Sequence, residues 1–180
     1  VEGSAISILT AERTLLNYMQ RLSGIATTTS EYVNLIEGTS ARLLDTRKTT
    51  PTMRILEKYA VKTGGGTNHR IGLFDMIMLK DNHIDFAGGI EKAIDRTLQY
   101  LKDKQLDLKI EIEVRNFEEL QRVLAKGGVN RIMLDNFSVE DTQKAVKMID
   151  HKYEIESSGG ITAENILSYA QTGVDFISVG

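Results

Sequence analysis

Lys109-Ile110-Glu111-Ile112-Glu113-Val114 opens the stretch that decides the fold. Arg131-Ile132-Met133-Leu134, Tyr153-Glu154-Ile155-Glu156 and Asp175-Phe176-Ile177-Ser178-Val179 follow, with starts about 22 residues apart at 109, 131, 153 and 175. Each run is short and mostly apolar, and reads as a strand. Helix signals lie between them. Asn116 with Glu119 three residues on is close to a capping box, Ser138 and Thr162 are N-cap residues, and Gly173 is a stop. Parallel strands need helical crossovers, so the rhythm reads as βα units. In 109–114 charged residues alternate with β-branched ones, which predicts a half-buried strand.

Upstream the same rhythm begins earlier. Ala41 to Asp45 and Met76 to Leu79 are further strand-like runs. Pro51 fits the first position of a helix that runs to about Lys62 and stops at Gly64. Ile90 to Leu101 has the apolar spacing of an amphipathic helix. The first forty residues predict two helices. One follows Thr10 as N-cap, carries Leu15, Leu16, Met19 and Leu22, and is interrupted at Ser23-Gly24. The other starts after Thr27-Thr28-Thr29-Ser30 and stops at Gly38. About six strands fit the chain, whereas a full eightfold barrel needs ~250 residues. The expected fold is therefore α/β: an incomplete, six-stranded parallel α/β barrel, TIM-like, preceded by N-terminal helices. Residues 1–180 form one domain, with leading helices over 1–40 and the barrel over 41–180. A doubly wound open sheet is the structural alternative.

Composition narrows the function. Hydrophobic residues make up 41% and charged residues 26% of the chain, the mix of an ordinary soluble protein. A net charge of -3 gives no global basic field, so a nucleic-acid partner is not expected. No apolar run approaches the ~20 residues of a membrane span, so no membrane partner is expected. The absence of cysteine excludes a disulfide framework, zinc–cysteine sites and thiol catalysis, and fits a reducing cytosol; a cytoplasmic location is expected. Val1 opens without a charged-then-apolar leader, and the chain ends on Phe176-Ile177-Ser178-Val179-Gly180; the expectation is a piece of a longer protein.

Chemistry collects where the strands end. Asp45-Thr46-Arg47-Lys48 closes the first, Lys80-Asp81-Asn82-His83 the second, Asp135-Asn136 the fourth and Glu156-Ser157-Ser158-Gly159-Gly160 the fifth, while Glu111 and Glu113 lie in the third. In α/β barrels these ends build the active site. One charged strand end is as well explained by solvated loop residues; five in register are not. Arg47, Lys48, Arg70 and Lys80 are cations, and His69 can become one. Arginine forks match carboxylate and phosphate oxygens, and lysine supplies a point charge. A basic pocket in an acidic chain indicates a small polyanion. Glu113 and Asp135 are acceptors suited to hydroxyls, a developing cation or Mg2+. Against that reading, Glu113 could face outward with Glu111. Ser158-Gly159-Gly160 before a helix, and Gly64-Gly65-Gly66 before Asn68-His69-Arg70, permit backbone approach to phosphate. Neither fits the P-loop or dinucleotide patterns. With three histidines in all, and His151 at a helix end, a transition-metal site is not expected.

Taken together, these motifs resemble a known family. Glu12-Arg13-Thr14 with Asn17, and Gln20-Arg21-Leu22-Ser23-Gly24-Ile25-Ala26-Thr27, resemble the opening of the quinolinate phosphoribosyltransferase barrel domain. Asp45-Thr46-Arg47-Lys48-Thr49-Thr50-Pro51, Glu57-Lys58-Tyr59-Ala60-Val61 through Gly64-Gly65-Gly66, Asn68-His69-Arg70 and Gly72-Leu73 continue the likeness. Lys80-Asp81-Asn82-His83-Ile84, Glu111-Ile112-Glu113-Val114, Met133-Leu134-Asp135-Asn136 and Ser157-Ser158-Gly159-Gly160-Ile161 complete it, in order along the whole chain. The resemblance implies a pentosyltransferase of NAD biosynthesis. It would transfer phosphoribose from phosphoribosyl pyrophosphate to quinolinate with decarboxylation, giving nicotinate mononucleotide, pyrophosphate and CO2.

Roles follow by position. The resemblance implies that Arg13 reaches a neighbouring subunit's site, within a homodimer or higher oligomer. Arg47, His69 and Arg70 would bind the quinolinate carboxylates, with Thr46 beside them. Lys48 and Lys80 would lie between the two substrates, and Glu113 and Asp135 on the ribose side, commonly with Mg2+. Ser158, Gly159 and Gly180 would serve the phosphate end. Lys48, Lys80, Glu113 and Asp135 are the catalytic candidates, and no organic cofactor is implied. Thr52 departs from the family's common glycine, which bears on the local turn. The family's N-terminal domain and the segment after Gly180 are absent from this sequence. Two alternatives stand beside this reading: a related phosphoribosyltransferase-like protein acting on another anionic ring, such as the molybdenum-associated homologues, and a non-catalytic barrel module.

Overall fold

Six strands pair in parallel in the order β1-β6-β5-β4-β3-β2, in a computed structural model that describes residues 1–180. The strands are β1 (Arg42–Leu44), β2 (Ile77–Leu79), β3 (Ile110–Val114), β4 (Arg131–Asp135), β5 (Glu154–Ser158) and β6 (Phe176–Ser178). The helices are α1 (Ala5–Leu35), α2 (Arg54–Thr63), α3 (Asp81–Ala87), α4 (Ile90–Lys104), α5 (Phe117–Lys126), α6 (Val139–Ile149) and α7 (Ile166–Ala170). β1 and β2 end the order, and the sheet stays open between them. It is an incomplete α/β barrel, as expected. Thr67 bridges Leu44 beside that gap, with hydrogen bonds from Thr67 N–H to Leu43 and from Asp45 N–H to Thr67. Residues 67–70 are thereby brought beside the end of β1.

Strand alternation sorts the side chains onto two faces. Ile112, Val114, Ile132, Leu134, Ile155 and Ile177 face the helices and form the core with Ile94, Leu120, Val123, Ile149 and Ile166. Glu111, Glu113, Met133, Glu156 and Phe176 occupy the alternate positions and are buried too, outside that core. The register puts Glu111 opposite Arg131, Met133 opposite Glu156, and Asp135 opposite Ser158. All five residues of β3 are buried, so it is not half exposed as its alternation predicts. Its polar face looks into the barrel lumen rather than into water.

The leading segment is one 31-residue helix, not two. Ser23-Gly24 does not interrupt it: nothing lies near the Gly24 Cα, and glycine inside an exposed helix costs only about 1 kcal/mol. Ser4 is the N-cap, and the Thr10 hydroxyl donates to the Ile6 carbonyl inside the helix. α2 starts at Arg54, because Pro51 sits in a turn closed by Met53 N–H on the Thr50 carbonyl. α3 has no counterpart among the expected elements; Lys80, the last residue before it, doubles as its N-cap. α7 begins after Asn165, whose side chain accepts from Thr162 N–H, so Thr162 does not cap it directly. Asn116 and Ser138 do cap α5 and α6, accepting from Glu119 N–H and Asp141 N–H. No helix is long and apolar enough to cross a membrane.

Candidate active site

A cavity of about 350 Å³ opens at the C-terminal ends of the strands. It collects Thr46, Arg47 and Lys48 after β1, His69 and Arg70 from the gap segment, Lys80 after β2, Glu113 from β3, Asp135 from β4 and Ser158 from β5. Nine of the twelve expected site residues therefore meet around one space. The other three lie elsewhere. Arg13 is exposed on α1. Gly159 abuts the Asn136 side chain and has φ 94°, so a side chain there would collide with Asn136. Gly180 lies against Thr46 and Lys48 at the rim, beside a second cavity bounded by α1 and α2. The charged residues converge in the first cavity, and the chemistry belongs there.

The cationic side is built with donors to spare. The Arg47 and Arg70 Nε atoms are buried and have no hydrogen-bond partner in the protein. An unmade hydrogen bond on a buried charge is costly, so these groups are matched to an incoming anion. Arg70 spends one nitrogen on the Met76 carbonyl at 3.0 Å, which aims the fork. Burial, and next the neighbouring Arg47 charge, push the Arg70 guanidinium below its ordinary value. Two cations thus held together favour a polyanion. Asp45 anchors this side from beneath. It pairs with buried Lys58 at 2.5 Å and accepts from His69 N–H at 2.8 Å and Asn68 Nδ2 at 2.7 Å. Lys58 also donates to the His69 carbonyl.

Across the cavity, the Glu113 carboxylate lies 3.3 Å from Lys80 Nζ. Burial pushes its carboxyl up, Lys80 pulls it down and the Asp135 charge pushes it up again. Two carboxylates on adjacent strands, Glu113 and Asp135, are a donor set that fits a hard divalent cation such as Mg2+. Lower in the lumen, His69 Nε2 lies 2.9 Å from Glu111 and 3.4 Å from Glu156. Burial pushes both carboxyls up and prevails at Glu111, whereas at Glu156 the His69 contact, together with Glu111 and Ser178, outweighs it and holds the group down.

Met78, Met133, Glu156 and Ser178 also line the cavity, outside the expected set of site residues. Their signal is strand parity. Glu156 lies two residues before Ser158, and Ser178 two before Gly180, so each shares a face with an expected site residue.

Fold and site together define an incomplete α/β barrel with a cavity lined by cations and carboxylates at the C-terminal ends of its strands. The chain belongs to the family described as quinolinate phosphoribosyl transferase, C-terminal domain, which matches residues 25–180. It is 44% identical, over its whole length, to quinolinate phosphoribosyltransferase [decarboxylating] 2b, mitochondrial, of Nicotiana tabacum, and covers 55% of that protein. It is 48% identical over 98% of its length to the probable nicotinate-nucleotide pyrophosphorylase [carboxylating] of Synechocystis, covering 59% of it. Among solved structures, the nicotinate-nucleotide pyrophosphorylase from Francisella tularensis is similar at 49% identity and TM-score 0.91, over 98% of this chain and 61% of that one. The chain thus spans a little over half the length of the relatives it matches.

Proposed function

We propose that this chain is the barrel part of an enzyme that transfers phosphoribose from phosphoribosyl pyrophosphate to quinolinate, releasing pyrophosphate and CO2. The observation that carries the reading is the convergence of Arg47, Lys48, Arg70 and Lys80 on one cavity opposite Glu113 and Asp135. Quinolinate has two carboxylates for the cations, and phosphoribosyl pyrophosphate has hydroxyls and phosphates for both sides. Arg47 and Arg70 grip the carboxylates and aim the ring nitrogen at ribose C1. Glu113 and Asp135 stabilise the cation-like sugar as pyrophosphate departs. The same two residues would hold Mg2+, whose charge neutralises the leaving group. Lys48 and Lys80, between the substrates, offset the negative charge that both bring. The ring nitrogen, now quaternary, stabilises the carbanion left on the adjacent ring carbon when the carboxylate leaves as CO2, and a proton from solvent then fills that position, so no organic cofactor is needed. Most of the rate comes from positioning.

The active form is a homodimer or higher oligomer in the cytoplasm. Its support is Arg13, exposed on α1 away from its own cavity, on a helix that also exposes Ile6, Leu9 and Met19. Lys48→Ala or Glu113→Ala, made in the protein that includes the remaining length, is expected to lower turnover about 10²–10³-fold, the cost of losing one electrostatic stabiliser. Near-normal turnover of either variant in steady-state assays contradicts the role assigned to that residue.

A further inference from the structure

Arg47 and Arg70 face one cavity from two different loops. The loops are joined at their bases by the Leu44–Thr67 bridge and by Asp45, which accepts from Asn68 and His69. Beyond that point each loop is shaped by its own bonds. On one, Lys48 N–H donates to the Thr46 hydroxyl. On the other, Ile71 N–H and Gly72 N–H donate to the Asp75 carboxylate. Like charges repel, so without an anion between them the two arginines tend to drive the loops apart.

One side chain crosses from loop to loop. Arg54, the first residue of α2, donates from one terminal nitrogen to the Arg47 carbonyl at 3.4 Å and from the other to the Ile71 carbonyl at 3.2 Å. Its Nε donates to the Thr49 hydroxyl at 3.3 Å. All three nitrogens are engaged, and all three acceptors are uncharged. Helix stability does not account for this arginine, because a cation in the first turn opposes the helix dipole. Arg54 is not among the residues that line the cavity. A guanidinium holds its donors in a fixed plane and spacing, which a lysine ammonium does not.

We propose that Arg54 is a positioning residue of the anion cavity: holding the Arg47 and Ile71 carbonyls on separate nitrogens, it sets the distance between the Arg47 and Arg70 forks, and so the spacing of the two carboxylates that the cavity accepts. It acts through the two loops and touches no substrate. The ligand, a ring with carboxylates on adjacent carbons, is taken from the proposed function; the tie between the loops rests on the geometry alone.

The test compares R54A and R54K with the parent, in the protein that includes the remaining length. Calorimetric titrations in metal-free buffer use quinolinate and dipicolinate, the isomer whose carboxylates flank the ring nitrogen. Hydrogen exchange of the same proteins reads the amides of Lys48, Ile71 and Gly72. The parent is expected to prefer quinolinate. In R54A quinolinate affinity is expected to fall about 10–100-fold, the cost of displacing a positioned group by about an ångström, while dipicolinate binding changes little and the preference narrows. Exchange is expected to quicken on both loops together. R54K keeps the charge but offers one nitrogen for two carbonyls, and is expected to behave as R54A does. A merely structural role would weaken both ligands by the same factor; an unchanged preference therefore overturns the proposal. Full rescue by R54K overturns it too, since charge alone would then suffice, and so does a parent that binds both isomers equally. If R54A does not fold, R54K decides by the same readouts. Should the parent bind neither ligand, the choice of ligand falls with the proposed function. Exchange then judges the tie: quickening on both loops in R54K upholds it, and no change, or quickening on one loop alone, overturns it.

Discussion

Thr52 is the residue at which local rule and structure most clearly conflict. It has φ 67°, in the left-handed region, and its side chain is β-branched. That conformation costs a non-glycine residue about 1–2 kcal/mol. Glycine would return about 0.4–1 kcal/mol of that through its freer unfolded chain. Thr52→Gly is therefore expected to stabilise the protein by up to about 1 kcal/mol, read as a higher urea midpoint with an unchanged slope. A lower midpoint would show that the threonine side chain makes a compensating contact. The resemblance to the family singles out Thr52 but not its backbone angle. Pro51, read as the first residue of a helix, instead pre-sets the turn that Thr52 completes. At this scale the cations of the site were legible, because arginine and lysine after apolar runs stand out. Glu111 was harder to place. Alternation alone does not tell a strand face turned to water from one turned to a barrel lumen.

Between elements, the decisive tie is where the sheet fails to close. Asp45 at the end of β1 gathers Lys58 from α2 and the Asn68-His69 segment. Both members of the Asp45–Lys58 pair are buried, at 8% and 3% exposure, so solvent does little to screen them. Removing one partner of such a pair strands the other charge, at about 3–5 kcal/mol. Lys58→Ala is expected to lose about that much in chemical denaturation and to weaken anion binding with it, since Arg47, His69 and Arg70 flank the tie. A loss under about 1 kcal/mol, the range of surface pairs, would mean that other bonds hold the segment. The tie is not legible in the sequence, because Asp45, Lys58 and Asn68 are brought together only by the open edge. The strand–helix alternation was legible, as were the caps at Asn116 and Ser138 and the stop at Gly64. Helix starts fared worse at Thr10 and Thr162, where several residues could serve as cap. α3 was hidden because Lys80 ends one element and caps the next.

Across the whole molecule, two layers divide the labour. Apolar side chains lie between sheet and helices, and the lumen is left for charge. The 22-residue rhythm predicts this architecture, since each βα unit can bury only one strand face against its own helix. The lumen is the remaining face, and Glu111, Glu113, Arg131, Asp135 and Glu156 converge there because strands in register bring alternate residues to a common level. The central claim is that this arrangement recognises two carboxylates on one ring. Calorimetric titration of this chain with quinolinate, and then with nicotinate, addresses it directly. Quinolinate is expected to bind about 10–100-fold more tightly, the worth of one additional charged hydrogen-bond set. Equal affinities, or tighter binding of nicotinate, would contradict the account.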